Sequence, residues 1–476
     1  MILVFIYPHW DRKMLSVGKY HRYKKSTGIN AGWMKTLFYG SKLFPENADW
    51  ELLYFGDGIG GFTTVMKREI DILGNENIVM YNSGKPDASS RLDMDTQTLL
   101  AHLPMLFHKD PRDVLIVGLA SGITAGEILH YPVERLDVVD INRQVVTASD
   151  FFIPWNNNVL SDPRTDLIIQ DGRAHLELTD RKYDVISSEP SNPWMAGLSA
   201  LFTEEFFSLA KSRLNDDGIY VQMFHTYQMD WPTFAMVGRT FSKVFPNSIL
   251  VRTNPTSIGP DFLLIGFMGE KGLDEAIAAG NLPYAQRSKH ITLLNHQIFH
   301  LLIISEDLQR LFGEGVINTD SRPWLEFTAP KLMHSLDLTI IRQLIDNHWL
   351  SRKTVKIIDE NFADIDSQID LAAYALRVIN MDMPFQNPVE LSRATSEQKE
   401  RFSRLLEKYC AYNIVRDFSG LGDEEIKRRC IDVQIKAVLD RLDKIDTTRD
   451  KEPLLLHLRN LYSEKEKSFL IKKAIE

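Results

Sequence analysis

The stretch from Asp113 to Gly122 constrains this chain most, because an apolar run leads directly into a glycine-rich loop. The run DVLIV is typical of a strand that is buried on both faces of a parallel sheet. Gly118 and Gly122 then allow a tight turn and a close approach of the backbone to a ligand, and the helix predicted after them offers free N–H groups at its start. The spacing is not the G-x-G-x-x-G of dinucleotide sites, so NAD is not expected.

Three further predicted strands end in acidic residues. The next two end at Asp140 and Asp171, and the short apolar run Val185-Ile186 leads to Glu189, in a loop that carries two prolines. In an open α/β sheet, ligands bind beyond the carboxyl ends of the strands, and an acid about 20 residues after the glycines suits a ribose diol. The pattern predicts a nucleoside site with an acidic rim. The Glu189 stretch alone fits an ordinary Ser/Pro turn with an exposed acid equally well.

The order of five motifs resembles the spermidine synthase (polyamine aminopropyltransferase) family. In chain order they are GLASG, VVDIN, QDGRAHL, YDVISSEPSNP and LFTEEFF. Further stretches, including PHWDRKMLSVGKY and NTDSRPWLEFTAP, are similar to bacterial spermidine synthase-like proteins that are fused to transporter-like membrane domains. The resemblance covers about residues 8 to 335. It implies an α/β fold, namely a class I methyltransferase-like doubly wound sheet with a small N-terminal β domain and a helical C-terminal region.

The resemblance and the sequence pattern together predict three parts. Residues 1–110 contain short strands and turns, and residues 111–335 form the methyltransferase-like, spermidine synthase-type domain with a helical elaboration at its end. Residues 336–476 are amphipathic and highly charged, which favours helices. Within the second part, a helix is predicted from Ser199 to Leu214, followed by a strand from Ile219 to Phe224.

The resemblance implies a sulfonium nucleoside as co-substrate, either decarboxylated or intact S-adenosylmethionine. Asp140 would hold the ribose hydroxyls, Asp171 with Gly172 would meet the adenine edge, and Gln97 would lie beside the ligand. The predicted donor-binding residues lie at strand ends or match family positions: Gly118, Ser121, Gly122, Gln97, Asp140, Asp171 and Gly172.

Glu189 falls where the family has the catalytic aspartate that orients and deprotonates the attacking amine. An alkylamine has a pKa of about 10, so an amine nucleophile needs a base at neutral pH. Glu189 can serve as that base or as an electrostatic anchor for the cation. Trp194 and Met195 follow it and can either wall a sulfonium pocket or pack in the core.

Four positions depart from the family pattern. Ser121 and Asn192 stand where the family has acids, Thr96 stands for a tyrosine, and Asp87 stands for a glutamine. Two carboxylates that would attract a polyamine are therefore missing, which argues against ordinary putrescine aminopropylation. The acceptor-site candidates are Asp87, Asn192, His225 and Tyr227, the last two because they follow a predicted strand.

Several functions remain open at this point. The leading hypothesis is an enzyme that transfers an aminopropyl-type group to an amine and releases methylthioadenosine. Amine-independent cleavage or cyclisation of intact S-adenosylmethionine is an alternative motivated by Ser121 and Asn192. A methyltransferase is less favoured because the strand-end motifs match the synthases better. A non-catalytic nucleoside-binding module, docked on a transporter, is the remaining class.

Composition limits the partners. The chain has 476 residues, 44% hydrophobic and 25% charged, which is typical of a soluble globular protein. Its net charge of −9 argues against nucleic acid as a partner and for cationic ligands. We expect a small-molecule substrate, such as an amine, and a homo-oligomer.

Other segments predict a cytoplasmic protein without a metal. The two cysteines, Cys410 and Cys430, show no metal-type clustering and are expected to be reduced. His290, His296 and His300 lack the glutamate of H-E-x-x-H, so no metal site is expected there. The apolar start MILVFIY is too short to span a membrane, so no transmembrane segment is expected.

Overall fold

A computed structural model describes most of the chain up to residue 332 and parts of the remainder. The described residues are 12–16, 50–69, 76–91, 93–190, 193–195, 197–225, 228–253, 261–269, 275–290, 303–332, 340, 424–442, 455, 458–463 and 465. Five positions that the sequence singled out lie outside them: Asn192, Tyr227, His296, His300 and Cys410. The apolar start, residues 1–7, also lies outside.

An antiparallel sheet precedes the glycine loop. It comprises β1 (Glu51–Gly58), β2 (Gly61–Glu69), β3 (Glu76–Asn82) and β4 (Lys85–Ser89), in that spatial order. Gly60 and Gly61 turn the chain between the first two strands with φ angles of +80° and +136°, a region that glycine adopts without strain.

A second sheet of eight strands contains the glycine loop. Its strands are β5 (Asp113–Val117), β6 (Arg135–Asp140), β7 (Thr165–Ile169), β8 (Tyr183–Ser188), β9 (Leu214–His225), β10 (Ser248–Arg252), β11 (Asp261–Phe267) and β12 (Ile303–Ile304). The spatial order is β12-β10-β11-β9-β8-β5-β6-β7. β5 to β9 pair in parallel, whereas β11 is antiparallel to both of its neighbours. The chain leaves β5 toward β6 on one side and returns to β8 on the other, so the loops after β5 and β8 border the crevice where such sheets bind ligands.

Helices accompany both sheets. In chain order they are α1 (Arg12–Ser16), α2 (Met94–Phe107), α3 (Ile123–Ile128), α4 (Arg143–Ser149), α5 (Ile153–Asn156), α6 (Gly172–Leu178), α7 (Glu204–Ser212), α8 (Trp231–Val244), α9 (Glu275–Ala285), α10 (Ser305–Phe312), α11 (Trp324–Leu332) and α12 (Glu424–Leu442).

The large sheet is covered on both faces, as its apolar strands predict. Side chains alternate along β5: Val114 and Ile116 belong to one buried cluster, while Leu115 and Val117 belong to the other. The first cluster includes α2, and the second includes the aromatic side chains of α8. The predicted class I methyltransferase-like doubly wound sheet is therefore confirmed.

One helix boundary differs from the prediction. The helix expected from Ser199 to Leu214 is α7, which spans only Glu204–Ser212. The side chain of Thr203 caps it by accepting a hydrogen bond from the N–H of Phe206. Leu214 already begins β9, which therefore starts five residues before the strand predicted at Ile219.

The later part of the chain is only partly described. α9 to α11 fall in the predicted helical elaboration, and α12 falls within residues 336–476. Within the described part of the chain, no helix is both long and apolar enough to cross a membrane. The three predicted domain boundaries stay predictions.

Candidate active site

A cavity of about 890 Å³ lies between the antiparallel sheet and the carboxyl ends of β5, β6 and β8. That volume suits a nucleoside-sized ligand together with a second small molecule. Six carboxylates are among the described residues that line it: Asp87, Asp93, Asp140, Asp171, Glu189 and Asp261. The lining cations in the same set are Arg68 and Lys85, so the cavity is strongly acidic.

The glycine loop after β5 borders the cavity through Gly118 and Ala120. Gly118 has a φ of +99°, and a Cβ there would lie 2.8 Å from the carbonyl oxygen of Glu189. Glycine is therefore required both for the conformation and for the close approach of the two loops. Gly122, with a φ of +79°, is the N-cap residue of α3. Neither Ser121 nor Gly122, both predicted to bind the donor, is among the described residues that line the cavity.

Asp140 ends β6 and faces the cavity. Its Oδ2 accepts the N–H of Leu119 at 2.9 Å, and its Oδ1 accepts the N–H of Asn142 at 2.8 Å. Burial raises the pKa of this carboxyl, while the two backbone N–H groups act in the opposite direction. The backbone bonds fix the plane of the carboxylate, and its oxygens keep acceptor capacity for the hydroxyls of a ribose.

Asp171 and Gly172 also line the cavity, at the start of α6. Asp171 caps that helix by accepting the N–H of Ala174 at 2.8 Å. A Cβ at Gly172 would lie 2.5 Å from Cγ1 of Val117, so a larger residue would push α6 away from β5. The structure thus brings Gly118, Asp140 and Asp171 together at one edge of the sheet, as their strand-end positions predict.

Gln97, on α2, lines the cavity but is engaged by protein groups. Its Nε2 donates to the carbonyl oxygen of Ser89 at 2.9 Å and to Oδ1 of Asp93 at 3.1 Å. Its Oε1 accepts a short hydrogen bond from the hydroxyl of Ser121. Ser121, which is fully buried, therefore supports Gln97 from behind the cavity wall.

Glu189 follows β8 and is held at both backbone and side chain. Its N–H donates to the carbonyl oxygen of Val117 at 2.9 Å, and its Oε2 accepts from the hydroxyl of Thr124 at 3.0 Å. Burial is the main reason that the pKa of Glu189 is raised from 4.5 to about 8, and the charges of Asp93, Asp261 and Asp87 raise it further. Such a pKa is suitable for a group that exchanges a proton near neutral pH.

Two further acids of the cavity, Asp93 and Asp261, were missed at the sequence level. Asp93 precedes α2, and burial raises its pKa to about 7, with Asp261 contributing. Asp261 begins β11, and burial raises the pKa of its carboxyl as well. Asp93 could have been noticed as an acid four residues before Gln97. No motif marks Asp261, because only strand pairing between β11 and β9 brings it to this cavity.

Asp87, an acceptor-site candidate, lies on β4 at the cavity wall. Its Oδ2 accepts from the side-chain amide of Asn82 at 2.7 Å, and its Oδ1 accepts from Nζ of Lys85 at 2.8 Å. Asn82 accepts a hydrogen bond from the hydroxyl of Thr63. That hydroxyl in turn accepts a hydrogen bond from the side-chain amide of Asn142, just after β6. This polar chain couples the antiparallel sheet to the end of the cavity that Asp140 and Asn142 line.

The remaining candidates differ in position. Met195 lines the cavity, whereas Trp194 is buried with its ring centroid 4.9 Å from that of His225. His225 is only 1% exposed and is not among the described residues that line the cavity. The structure therefore places the His225 side chain against Trp194 rather than at the cavity wall.

A separate group of potential metal ligands lies where β5, β8 and β9 begin. His108, Asp184 and Asp217 have ligand atoms within 4.8 Å of one another. Asp184 already accepts three hydrogen bonds, from the N–H groups of Arg112 and Asp113 and from the side chain of Asn215. Asp217 is 70% exposed. We therefore interpret Asp184 as an acid that holds the neighbouring loops by hydrogen bonds, and Asp217 as a surface acid beside it.

The strand order defines a class I methyltransferase-like fold, with an acid-rich cavity at the carboxyl ends of its parallel strands. Residues 94–270 match the model of the "Spermine/spermidine synthase domain". The chain is therefore similar to a family of enzymes that transfer an alkyl group other than methyl. The matched range contains Gln97, Asp140, Asp171, Glu189 and the newly found Asp261.

Curated relatives are named polyamine aminopropyltransferases. The one from Bacillus subtilis (strain 168) is 29% identical over 241 residues, which cover 49% of this chain and 83% of the relative. The one from Thermotoga petrophila is 27% identical and covers 43% of this chain and 73% of its own length. The one from Thermococcus onnurineus is 39% identical over 123 residues, which cover 26% of this chain and 43% of the relative.

Solved structures give weaker matches. A spermidine synthase in complex with the transition-state analogue AdoDATO is 24% identical, covers 47% of this chain and 77% of its own, and has a TM-score of 0.41. Human methyltransferase-like protein 13 in complex with SAH is 18% identical, and the match covers 41% of this chain and 88% of that protein's chain, with a TM-score of 0.32. The fold assignment therefore rests on the strand order itself.

Proposed function

We propose that this chain transfers an aminopropyl group from decarboxylated S-adenosylmethionine to an amine and releases methylthioadenosine. The observation that carries the proposal is Glu189, a carboxylate at the tip of β8 whose pKa of about 8 is set by burial beside Asp93, Asp261 and Asp87. The match of residues 94–270 to the synthase domain supports the same reaction.

The residues that would bind the donor lie on one side of the cavity. Asp140 would receive the ribose hydroxyls, and Asp171 with Gly172 would border the base. Gly118 and Ala120 would let the nucleoside approach the backbone of the loop after β5. Gln97 would act mainly through its contacts with Ser89 and Asp93, which shape the wall on the acceptor side.

The chemical step needs little beyond alignment and a base. The lone pair of a neutral amine forms a bond to the carbon beside the sulfonium, the carbon–sulfur bond breaks, and its electron pair leaves sulfur neutral in methylthioadenosine. Ionised Glu189 first takes a proton from the ammonium form of the acceptor, which frees this lone pair, and later returns the proton to solvent, while the new secondary ammonium group keeps the positive charge. A base of this kind contributes roughly 10²–10⁴-fold in rate.

The charge of the cavity favours the decarboxylated donor. At the sequence level, Ser121 and Asn192 suggested fewer acids and hence tolerance of the carboxylate of intact S-adenosylmethionine. The structure adds Asp93 and Asp261 to the wall, which offsets that loss. Once the bound sulfonium cation has favoured the ionised forms of these acids, they would repel the carboxylate of the intact donor. At an effective dielectric constant of 20, two ionised carboxylates 4 Å apart repel by about 4 kcal/mol, which is enough to select against that donor.

One experiment tests the proposal directly. Purified protein is incubated with decarboxylated or intact donor, with and without an amine panel, and the products are identified by mass spectrometry. We expect methylthioadenosine and an aminopropylated amine only with decarboxylated donor plus amine. Methylthioadenosine from intact donor without amine would favour cleavage or cyclisation instead, and S-adenosylhomocysteine would show methyl transfer. No product in any reaction would point to a nucleoside-binding module.

The wider context stays a prediction. The resemblance to transporter-fused proteins motivates the expected association with a transporter, the two cysteines motivate the cytoplasmic location, and the homo-oligomer stays an expectation. We also propose residues 336–476 as a helical module separate from the site, supported by α12.

A further inference from the structure

Thr124 reaches Glu189 from behind the cavity wall. It is the second residue of α3, is buried, and is not among the described residues that line the cavity. Its hydroxyl lies 3.0 Å from Oε2 of Glu189 and 3.1 Å from the carbonyl oxygen of Gln97 in α2. A hydroxyl carries a single hydrogen, so Thr124 can donate fully to one of these two oxygens at a time.

The hydroxyl of Thr124 points away from its own helix, unlike that of two other buried helical threonines. The hydroxyls of Thr98 and Thr240 each donate at 2.8 Å to a carbonyl oxygen one turn back in the same helix. Such local bonds need no partner from elsewhere in the fold. The bond from Thr124 joins residues that are 65 positions apart, so it forms only when the segments after β5 and β8 meet.

The packing of α3 on α2 fixes the position of Thr124. Oε2 of Glu127, three residues further along α3, lies 2.7 Å from Nε2 of His102, and both side chains are fully buried. Ser121, two residues before α3, donates to the side chain of Gln97 on α2. Thr124 lies between these two attachments, and its β-branched side chain has little freedom at χ1. Its hydroxyl hydrogen can turn, while its oxygen stays beside Glu189.

Turning this one hydroxyl satisfies both protonation states of Glu189. An ionised carboxylate accepts the hydrogen of Thr124. A protonated carboxyl instead donates its O–H to the oxygen of Thr124, whose own hydrogen then turns to the carbonyl oxygen of Gln97. The heavy atoms keep their positions in both states, so Glu189 can take up and release a proton without rearrangement.

The hydroxyl opposes the other influences on Glu189. Burial, followed by the charges of Asp93, Asp261 and Asp87, raises the pKa of Glu189 to about 8, whereas the hydrogen bond from Thr124 acts to lower it. Removing the hydroxyl removes no charge, so a change in the titration of Glu189 would report the hydrogen bond itself. The other titratable groups on the described cavity wall are Asp140, Asp171, Lys85 and Arg68.

Building on the proposed function, we propose that Thr124 is a positioning residue whose hydroxyl holds the Glu189 carboxylate in one orientation and supports its ionised form while it deprotonates the amine. Because Thr124 does not line the cavity, it acts through Glu189 rather than on a substrate. Replacing Thr124 by valine keeps the shape of the side chain and leaves the ionised carboxylate without this donor.

A titration without turnover tests the hydrogen bond. Protein labelled with ¹³C at the glutamate side-chain carboxyl is followed by NMR over pH, and the Glu189 signal is the one missing from Glu189→Gln. Thr124→Val should raise its midpoint by roughly 0.5–1.5 pH units, because the charged form loses a donor. Thr124→Ser keeps the hydroxyl and should restore the wild-type midpoint. The matched control is Thr98→Val, which removes a buried hydroxyl bonded within its own helix and should leave the midpoint unchanged.

An unchanged midpoint in Thr124→Val would overturn the proposal, as would an equal shift in Thr98→Val. If Thr124→Val does not fold, Thr124→Ala gives the same comparison. This titration decides about the hydroxyl even if no amine is alkylated, so its failure is distinct from failure of the proposed reaction.

The pH–rate profile then tests the role in catalysis. Methylthioadenosine release from decarboxylated donor plus amine is measured over pH for the same variants. A base with a raised pKa is less ionised at a given pH, so Thr124→Val should be roughly 3- to 30-fold slower on the acidic limb and approach wild type as the pH rises past the new pKa. Thr124→Ser should follow the wild-type profile. A shifted titration with an unshifted rate profile would overturn the positioning role.

Discussion

The proposed donor side and the proposed acceptor side of the cavity, called below the donor side and the acceptor side, are built in different ways. The donor side consists of successive strand ends, with Gly118 after β5, Asp140 at the end of β6 and Asp171 after β7. The acceptor side combines distant segments: Thr96 and Asp261, which share a hydrogen bond, are 165 residues apart in sequence. Local strand-to-helix turns suffice to build the first, while the second requires the complete sheet.

The two sides also treat their carboxylates differently. Both oxygens of Asp140 accept backbone N–H groups, which oppose the rise in its pKa that burial causes. Glu189 has one hydroxyl donor and several acidic neighbours, so its pKa rises to about 8. Under the proposed function, the donor side would hold a neutral ribose, and the acceptor side would exchange protons and attract cations.

The largest effect is expected at Glu189. Glu189→Gln keeps the size of the side chain but removes the base, so turnover should fall by roughly 10²–10⁴ while the fold is kept. Single-turnover assays of methylthioadenosine release measure the loss, and calorimetry checks that the donor still binds. Undiminished turnover in the folded variant would remove Glu189 from the chemistry and leave the acceptor side a binding surface.

A smaller effect is expected on the donor side. Asp140→Ala should weaken binding of the sulfonium nucleoside by roughly 1.5–3 kcal/mol, because it removes the proposed ribose acceptor and frees the N–H of Leu119. Calorimetry with donor and with 1,4-diaminobutane separates the two sides, since only donor affinity should change. A folded variant with unchanged donor affinity would contradict the ribose role.

Gly118 links the two sides, because a side chain there would meet the backbone of Glu189. Gly118→Ala should destabilise the protein by roughly 1–3 kcal/mol through strained φ and this contact, and should reduce donor binding and turnover together. Gly269→Ala is the matched control, since its φ is +78° with nothing within 4 Å of a built Cβ. Thermal unfolding and activity of both variants give the comparison, and equal effects would show that the contact with Glu189 is unimportant.

The smallest expected effect is the pH dependence of donor affinity, which arises from the protons that Glu189 and Asp93 hold. In the free protein, Glu189 with a pKa of about 8 and Asp93 with a pKa of about 7 hold protons near neutral pH. A bound sulfonium cation favours their ionised forms and lowers both pKa values, so binding should release protons. Donor affinity should then rise with pH, by at most about tenfold per unit for each proton released, until the pH exceeds these pKa values.

Calorimetry in buffers of different ionisation enthalpy counts the protons released on donor binding. Glu189→Gln should release fewer protons than wild type at pH 7.5 or so, because the amide does not titrate in this range. Proton uptake, or a release that Glu189→Gln does not alter, would show that the acceptor side does not sense the charge of the donor.

Several features of the donor side, and the position of Glu189, could be predicted from the chain alone. The run DVLIV forms β5, and Asp140, Asp171 and Glu189 follow strands whose carboxyl ends share one edge of the sheet. These predictions succeed because apolar runs, glycines and strand-end acids are local signals. The motifs that resemble the family also predicted the order of the three parts along the chain.

Other features escaped the same reasoning. Ser121 was expected beside the donor, yet it is buried behind Gln97, because the start of α3 turns its hydroxyl toward α2. His225 was expected at the acceptor, yet its ring packs against Trp194. A strand-end position gives the edge of the sheet but not the direction in which a side chain points.

The sequence by itself determined the doubly wound sheet, the glycine turn at Gly118 and the acids that follow β6, β7 and β8, because each depends on a few neighbouring residues. Only the tertiary structure decided the charge of the acceptor side. Asp93 comes from the start of α2 and Asp261 from an antiparallel strand late in the chain, and their pKa values depend on burial and on one another. Burial and electrostatic coupling are properties of the assembled cavity, and no local pattern encodes them.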